Sequence, residues 1–185
     1  MIPREAAQAR VARWVAQFVV AENLCPFAAR VLDADSLRIA VCEQTDAQSL
    51  ALAVLDEMQL LQRTSEDEVA TTLLAFTHAL EQFDDYLDFL AFTEELLDEC
   101  GLVGVLQIAS FHPQYIFDGV AAADVSHYTN RAPLPLLHFL REDALARALA
   151  AWPQPEAIPE RNIAHLRELG LDAVRARLRQ IDNAE

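Results

Sequence analysis

The side chains most able to do chemistry lie close together between Phe111 and Glu142. Read along the chain, they are His112, Tyr115, Asn130, Arg131, His138, Arg141 and Glu142. Imidazole and carboxylate groups can move protons near neutral pH, and guanidinium groups bind carboxylates or phosphates through charge-assisted hydrogen bonds. The combination predicts a site in which arginines hold an anion while a histidine or a carboxylate acts as general acid or base.

The charge distribution sets this stretch apart from the rest of the chain. Between Thr64 and Asn130 there are thirteen Asp and Glu residues and no Lys or Arg, so Arg131 ends a long acidic region. An arginine beside a helix N-terminus makes a ready site for a carboxylate or phosphate. A structural counter-ion is the alternative role for Arg131, and for Asn130 helix capping stands beside ligand contact.

A short helix is predicted over residues 134–150. On such a helix His138, Arg141 and Glu142 stand at i, i+3 and i+4 and therefore share one face. That face could line a cleft, with Arg141 as an anion clamp and Glu142 or His138 as general acid or base. Alternatively, Glu142 pairs with Arg141 and His138 bonds to backbone, which would make the stripe an internal network.

His112 follows a predicted buried strand and has Tyr115 nearby, so it could act as a base, a nucleophile or a metal ligand. A hydrogen-bonded core or turn histidine is the competing interpretation. His112, His138 and Glu142 would together supply two imidazoles and one carboxylate for a divalent metal. Their spacing matches no compact metal motif, so neither a metal nor another cofactor is predicted.

Cys25 and Pro26 mark the end of the predicted N-terminal helix, which covers residues 5–22. It could be a nucleophile activated by His112 or His138, with Asn130 as the orienting group. However, the C-terminal end of a helix and apolar neighbours both raise the pKa of a thiol. That environment favours structural burial for Cys25.

Composition excludes several functional classes. All fourteen basic residues are arginine, so Schiff-base chemistry and a phosphate-loop lysine are impossible. Only four glycines are present, too few for a glycine-rich phosphate loop or a dinucleotide fingerprint. A formal net charge of −15 argues against nucleic acid as a partner. The small anionic ligand that we expect instead follows from the arginines and histidines of residues 111–142.

The length and the cysteine content bound the setting of the protein. A chain of 185 residues with 53% hydrophobic residues predicts a single domain over residues 1–185. Three cysteines without a C-x-x-C spacing indicate reduced thiols, and no apolar stretch is long enough for a membrane span. We therefore expect a cytoplasmic protein without membrane contact; its oligomeric state does not follow from the sequence.

Apolar patterning predicts strands that alternate with helices. The predicted strands are 37–42, 69–76 and 102–110, and the helices between them are 46–63 and 83–100. This order is typical of βαβ crossovers. It predicts an α/β fold with a small, mostly parallel three- to four-stranded sheet, packed helices and a helical C-terminal portion divided at Gly170. His112 then falls beyond the carboxyl end of the third strand, where open α/β sheets usually bind ligands.

Three segments resemble one bacterial family. They are residues 23–28 (Asn-Leu-Cys-Pro-Phe-Ala), residues 111–117 (Phe-His-Pro-Gln-Tyr-Ile-Phe) and residues 130–142, which begin Asn-Arg-Ala-Pro and end Leu-Arg-Glu. Together, and in this order, they are similar to the family called domain of unknown function 1415. The resemblance implies a stand-alone cytoplasmic protein of about this length, and it brings no assigned activity. It also places Cys25, the histidines and Arg131 in one signature, which implies that these segments meet.

Two hypotheses of different classes follow. The first is an enzyme that acts on a small anionic metabolite, held by Arg131 and Arg141, with His112 or His138 moving the proton and Glu142 orienting its partner. The second is a non-catalytic binding or assembly protein, in which the polar cluster is structural. They differ in whether the cluster opens onto a solvent-accessible pocket.

Overall fold

A computed structural model describes residues 2–150 and 152–183, which form a four-stranded sheet with helices on both faces. The strands are β1 (Leu37–Cys42), β2 (Thr71–Phe76), β3 (Leu106–Phe111) and β4 (Leu136–Arg141). The α-helices are α1 (Arg4–Trp14), α2 (Ala28–Asp33), α3 (Ala47–Arg63), α4 (Phe83–Glu99), α5 (Glu142–Ala150), α6 (Ile158–Leu169) and α7 (Leu171–Asn183). A π-helical turn (Val15–Val20) and two 3-10 turns (Val125–Thr129 and Pro155–Ala157) complete the elements. No helix in the described part of the chain is long and apolar enough to cross a membrane.

The first half of the sheet follows the predicted crossover. Strands β1 and β2 pair in parallel, with Leu37 opposite Thr71, and α3 connects them. The Asp46 carboxylate begins α3 by accepting a hydrogen bond from the Ser49 N–H at 2.9 Å. This contact satisfies one of the backbone donors that every helix N-terminus leaves free. The predicted α/β fold, the small sheet of three to four strands and the helical C-terminal portion are confirmed, and the sheet has four strands.

The prediction of a mostly parallel sheet is wrong because of β4. The strand order is β1-β2-β4-β3, and β4 runs antiparallel to both of its neighbours, which leaves β1 and β2 as the one parallel pair. The chain therefore forms a strand and then α5 where we predicted one helix over residues 134–150. A six-residue apolar run carries no periodicity that separates a buried strand from a buried helix, and pairing on both edges favours the strand.

The strand conformation also removes the predicted helical stripe. His138 and Arg141 lie on β4, whereas Glu142 is the first residue of α5. Side chains alternate between the two faces of a strand, so positions i and i+3 point to opposite sides. The shared face of His138, Arg141 and Glu142 is therefore not formed.

Two hydrophobic cores lie on opposite faces of the sheet. On the first face, α1, the π-helical turn, α6 and α7 pack against side chains that include Leu73 and Leu136. On the second face, α3 and α4 pack against side chains that include Leu74, Leu137 and Phe139. Each central strand thus supplies alternate residues to each core, as expected for strands that are covered on both sides.

The N-terminal helix differs from the continuous helix predicted over residues 5–22. It is α-helical to Trp14 and π-helical from Val15 to Val20, after which Asn23 adopts a left-handed backbone conformation (φ 52°). Single π-helical turns are rare in proteins, and those that occur are often found at functional sites. This turn lies over the first face of the sheet, where Val15 and Phe18 are buried.

The C-terminal helices close the first core. Gly170, at φ 81°, separates α6 from α7, which confirms the predicted division. The Glu22 carboxylate, whose side chain is 7% exposed, binds His165 of α6 at 2.8 Å and also contacts Arg177 of α7. One buried carboxylate thus ties both C-terminal helices to the end of the N-terminal helix.

The central position of β4 makes a stability prediction. Phe139 is fully buried, so Phe139→Ala should lower the free energy of unfolding by about 3–5 kcal/mol through lost burial and the cavity left behind. The matched control is Phe92→Ala on α4, where the ring is 43% exposed and the loss should stay below about 1 kcal/mol. Urea unfolding of both variants measures the difference; equal losses would contradict the central placement of β4.

Candidate functional site

The antiparallel direction of β4 divides the predicted site. Asn130 and Arg131 precede β4 and lie at the end of the sheet where β3 finishes, beside His112. Arg141 is the last residue of β4 and lies at the opposite end of the strands, where it pairs with Leu106 at the start of β3. The six extended residues of β4 separate its two ends by roughly 17 Å, at about 3.3 Å per residue. The predicted residues therefore do not surround one common pocket.

His112 is fully buried and engaged at both ring nitrogens. The Gln114 N–H donates to Nδ1 at 3.0 Å, so Nε2 carries the proton and donates it to the Leu80 carbonyl, also at 3.0 Å. Burial of the ring lowers the pKa of His112. The geometry matches the competing interpretation of this residue, a hydrogen-bonded turn histidine that fastens the end of β3 to the segment before α4.

Asn130 and Tyr115 surround the same strand end. The Asn130 Nδ2 donates to the Ser110 carbonyl at 3.0 Å, and the Asn130 carbonyl accepts from the His112 N–H at 3.1 Å. The Tyr115 hydroxyl lies 3.3 Å from the Ser110 Oγ, and its ring packs against Phe83. Because β4 rather than a helix follows, Asn130 holds a loop to β3 and is not the N-cap of a helix.

The metal set considered from the sequence does not assemble. His112 lies beyond the end of β3, His138 lies within β4, and Glu142 begins α5 at the far edge of the sheet. Within residues 2–150 and 152–183, no three His, Cys, Asp or Glu side chains come together in a group that could hold a metal ion.

Three of the predicted site residues, Cys25, His138 and Arg141, do line one cavity, which lies over the first face of the sheet and extends to the end of β4 at Arg141. This apolar cavity has a volume of about 140 Å³. Its walls come from the π-helical turn, α2, α5 and the sheet, and they include Val19, Leu24, Phe27, Leu73, Phe111 and Leu140. The family signature that joins residue 25 to residues 138 and 141 thus corresponds to a shared space in the structure.

His138 is the polar group best placed inside the apolar cavity. Its Nε2 lies 2.8 Å from the Thr71 Oγ1, which in turn donates its only proton to the Phe139 carbonyl at 2.6 Å. The Thr71 oxygen can therefore only accept from His138, which places the imidazole proton on Nε2. Nδ1 is left as an unprotonated acceptor.

The free Nδ1 of His138 is accessible. It has no hydrogen-bond partner among the described residues, and it is absent from the buried partnerless atoms there, which are Trp14 Nε1, Thr72 Oγ1 and His78 Nε2. Protein atoms nevertheless surround the ring, and this desolvation lowers the pKa of His138 to about 4. At neutral pH the cavity therefore presents a neutral imidazole with one open acceptor.

Cys25 is a neutral thiol in the same cavity wall. Burial raises the pKa of Cys25, and the backbone N–H groups of Phe27 and Ala28 oppose this effect more weakly. The thiol precedes α2, so it lies near a helix start as well as after the N-terminal helix. Burial disfavours both the thiolate of Cys25 and the imidazolium of His138, so the reactive ion pair of a cysteine nucleophile is disfavoured.

Arg141 holds the loop after α3. Its Nη2 donates to the Thr64 carbonyl at 2.8 Å and to the Val69 carbonyl at 3.1 Å, and Nε also donates to Val69. These bonds occupy one edge of the guanidinium, leaving Nη1 without a hydrogen-bond partner in the part of the chain that the structure describes. Glu142 does not line the apolar cavity, and its backbone N–H donates to the Val105 carbonyl.

Ion pairs cross the rim of the apolar cavity. Glu66, in the loop after α3, pairs with Arg30 of α2 at 3.3 Å and also with Arg147 of α5. Arg30 and Glu66 both contribute to the cavity wall. Sequence reasoning missed Glu66 and Thr71. A threonine at the start of a buried strand was an available signal for Thr71, because a buried hydroxyl needs a partner.

Arg131 lines a different space, here called the Arg131 cavity, of about 180 Å³. Its walls come from α1, α7 and the loop between β3 and β4, and they include Arg10, Pro113, Tyr128, Leu178 and Asp182. Trp14, which is 3% exposed, lines both cavities. Arg131 and His138 therefore belong to two neighbouring sites that share one wall residue.

A family model with the description "Protein of unknown function (DUF1415)" matches residues 6–176, which is most of the chain. The matched range includes every predicted site residue and the walls of the apolar cavity. No curated protein and no solved structure matches the chain.

The low pKa of His138 makes a prediction about pH. Because the folded-state pKa of about 4 lies below the ordinary value of 6.5, the unfolded chain takes up the proton first as the pH falls. The His138 contribution to stability is therefore constant above pH 6.5 and is lost between pH 6.5 and 4, by roughly 2–3 kcal/mol. His138→Gln should lose that much less stability over this interval.

Urea unfolding of wild type and His138→Gln at half-unit pH steps measures the difference. His112 remains in both proteins, so its own lowered pKa cancels in the comparison. Parallel stability curves from pH 7 to pH 4 would show that the His138 imidazole is not desolvated in the folded protein.

Proposed function

We propose that this protein, which belongs to the family described as protein of unknown function (DUF1415), binds a small and mainly apolar molecule in the apolar cavity. The observation that carries the proposal is the open Nδ1 acceptor of His138 within walls that are otherwise largely apolar. Ligand sites commonly combine apolar walls with a few fixed polar groups that orient the ligand.

The size of the cavity limits the ligand. An apolar cavity of roughly 150 Å³ stays dry and accepts benzene, and the apolar cavity here has a similar volume of about 140 Å³. A ring of six atoms with a small substituent, or a short branched chain, fits this space. Burial of such a ligand gains about 25 cal/mol for each Å² of apolar surface removed from water.

The polar groups define which substituent the ligand carries. An acceptor inside an apolar cavity costs about 1–3 kcal/mol when it has no partner, and a ligand hydroxyl or amide N–H would satisfy His138 Nδ1. The Thr71 hydroxyl fixes the tautomer, so the acceptor exists before the ligand arrives. An anionic group, as expected from the sequence, is best accommodated near the exposed Arg30 at the rim, since charge inside an apolar wall is costly.

An enzyme that uses Cys25 and His138 is the second candidate. The observation in its favour is that both side chains line the apolar cavity in which the ligand would bind. Nucleophilic catalysis would require the thiol proton to pass to the imidazole. Burial opposes both halves of that transfer, because it raises the pKa of Cys25 and lowers the pKa of His138. Binding without chemistry is therefore the better supported function.

Ligand binding can be tested with phenol and toluene, which differ by one hydroxyl donor. Phenol should bind the wild type about five- to tenfold more tightly than toluene, as one net hydrogen bond of about 1 kcal/mol implies. His138→Leu removes the acceptor and keeps an apolar wall, so the preference for phenol should disappear. Titration calorimetry measures both affinities.

A second variant locates the binding event. Val19 lies on the π-helical turn and lines the apolar cavity, so Val19→Phe should fill the space and weaken both ligands at least tenfold. Equal affinities of phenol and toluene for the wild type would contradict the role of His138. Unchanged binding by Val19→Phe would place the ligands elsewhere on the protein.

The state of the Cys25 thiol separates the two candidate functions. Cys100 is exposed and free, whereas burial raises the pKa of Cys25. Iodoacetamide at pH 7.5 should therefore alkylate Cys100 at least tenfold faster than Cys25, since the thiolate is the reacting form. Mass spectrometry of peptides at timed intervals measures both rates in one sample. Faster modification of Cys25 would favour the enzymatic candidate.

A further inference from the structure

The Arg131 cavity concentrates positive charge in a strongly acidic protein. The net charge of the chain is −15, yet Arg10 and Arg131 both line this cavity against one carboxylate, that of Asp182. Two further arginines stand around it: Arg13 donates to the Ile181 carbonyl at 3.2 Å, and Arg175 donates to the Tyr128 hydroxyl at 3.2 Å. The local charge is thus opposite in sign to that of the whole molecule.

Arg131 is held in a fixed orientation. Its Nε donates to the Tyr115 carbonyl at 3.0 Å, and its guanidinium carbon lies 4.7 Å from the centre of the Tyr128 ring. A guanidinium stacked on an aromatic face and fixed at Nε keeps its two terminal nitrogens in a defined plane. The entropy lost when a ligand binds to such a group is small, because the side chain is already ordered.

The terminal nitrogens of Arg131 are open. Neither makes a hydrogen bond or an ion pair within residues 2–150 and 152–183, and neither is among the buried partnerless atoms there, so both are accessible. Arg10 is also only partly used, because its Nε donates to the Asp182 Oδ1 at 2.7 Å. Arg131 is therefore a partly buried cation with no carboxylate partner in the described part of the chain, although the sequence has 29 acidic and 14 basic residues.

The geometry points to a binding site for a small organic monocarboxylate in the Arg131 cavity. A carboxylate matches the paired terminal N–H groups of a guanidinium, which form two parallel hydrogen bonds. The remaining walls include Pro113, Pro133, Leu178 and Ile181, which suit a short apolar remainder. A phosphate ester fits less well, because its second negative charge would face the Asp182 carboxylate and the acidic surroundings.

This site is separate from the apolar cavity and does not depend on the function proposed for it. His138 and Arg131 line different cavities, and the indole of Trp14 lies in the wall between them. Variants in one cavity therefore leave the walls of the other unchanged, provided that Trp14 is retained. The two proposals can fail independently.

Butanoate, butanol and inorganic phosphate are suitable probes, and the arginine Nε–Hε NMR signals of the full chain are the readout. Butanoate should saturate and shift the Arg131 and Arg10 signals, whereas butanol, which lacks the charge, should not. Arg131→Gln should weaken butanoate at least tenfold. Arg179→Gln is the matched control, because it removes the same positive charge from an exposed residue of α7 that does not line the cavity.

Controls keep the outcome clear. Arg131→Gln also removes the bond to Tyr115, so its melting temperature is measured first; if it does not fold, Arg10→Gln replaces it, with a several-fold loss expected. Val19→Phe, which fills the apolar cavity, should bind butanoate like the wild type. Undiminished binding in a folded cavity variant, or a loss equal to that of Arg179→Gln, would overturn the site. Phosphate binding as tight as butanoate would overturn the assignment to monocarboxylates.

Discussion

The backbone pairing of β4 with β2 on one side and with β3 on the other is the constraint on which the rest of the structure depends. It joins the β1–α3–β2 crossover to β3, and it places alternate residues of β4 in the two hydrophobic cores. It also sets the positions of the polar residues. His138 lies in the middle of β4, whereas Arg131 and Arg141 lie at opposite ends of this strand.

Hydrogen bonding separates His112 and His127, which are held within the protein, from His138, whose Nδ1 is open. His112 and His127 each use both ring nitrogens within the protein: Nδ1 accepts from a backbone N–H, and Nε2 lies at 2.9–3.0 Å from a backbone carbonyl. Both histidines are fully buried. His138 uses Nε2 alone, and its Nδ1 lies in a cavity wall. Burial agrees with this difference, because His138 is only partly buried.

Two arginines in the cavity walls, Arg131 and Arg141, are anchored by carbonyl oxygens. Arg131 bonds to the Tyr115 carbonyl and Arg141 to the carbonyls of Thr64 and Val69, and neither forms an ion pair with a carboxylate among the described residues. A carbonyl satisfies a donor without neutralising its charge, so the cation can still attract an anion. Other arginines pair with carboxylates, as Arg30 does with Glu66 and as Arg38 does with Glu57 through two bonds of 2.8 and 2.9 Å.

Much of the fold could be predicted from the sequence because its signals are local. The bounds of β1 follow from a short β-branched apolar run, the start of α3 follows from the Asp46 cap, and the division of the C-terminal helices follows from Gly170. The family resemblance likewise indicated that residue 25 meets the segment around residue 138. Long-range consequences could not be predicted in the same way, since the apolar run 136–141 fits a strand or a helix equally well.

The sequence by itself determined which chemical groups this protein has: arginine as its only basic residue beside histidine, a formal net charge of −15, five histidines and three thiols. The tertiary structure alone decided which of these groups meet, because contacts between distant residues depend on strand pairing rather than on local spacing. It placed His138 beside Thr71 and in one cavity with Cys25, and it placed Arg131 beside Tyr128 in another. Desolvation, which sets the charge of each group, arises only once those neighbours are in place.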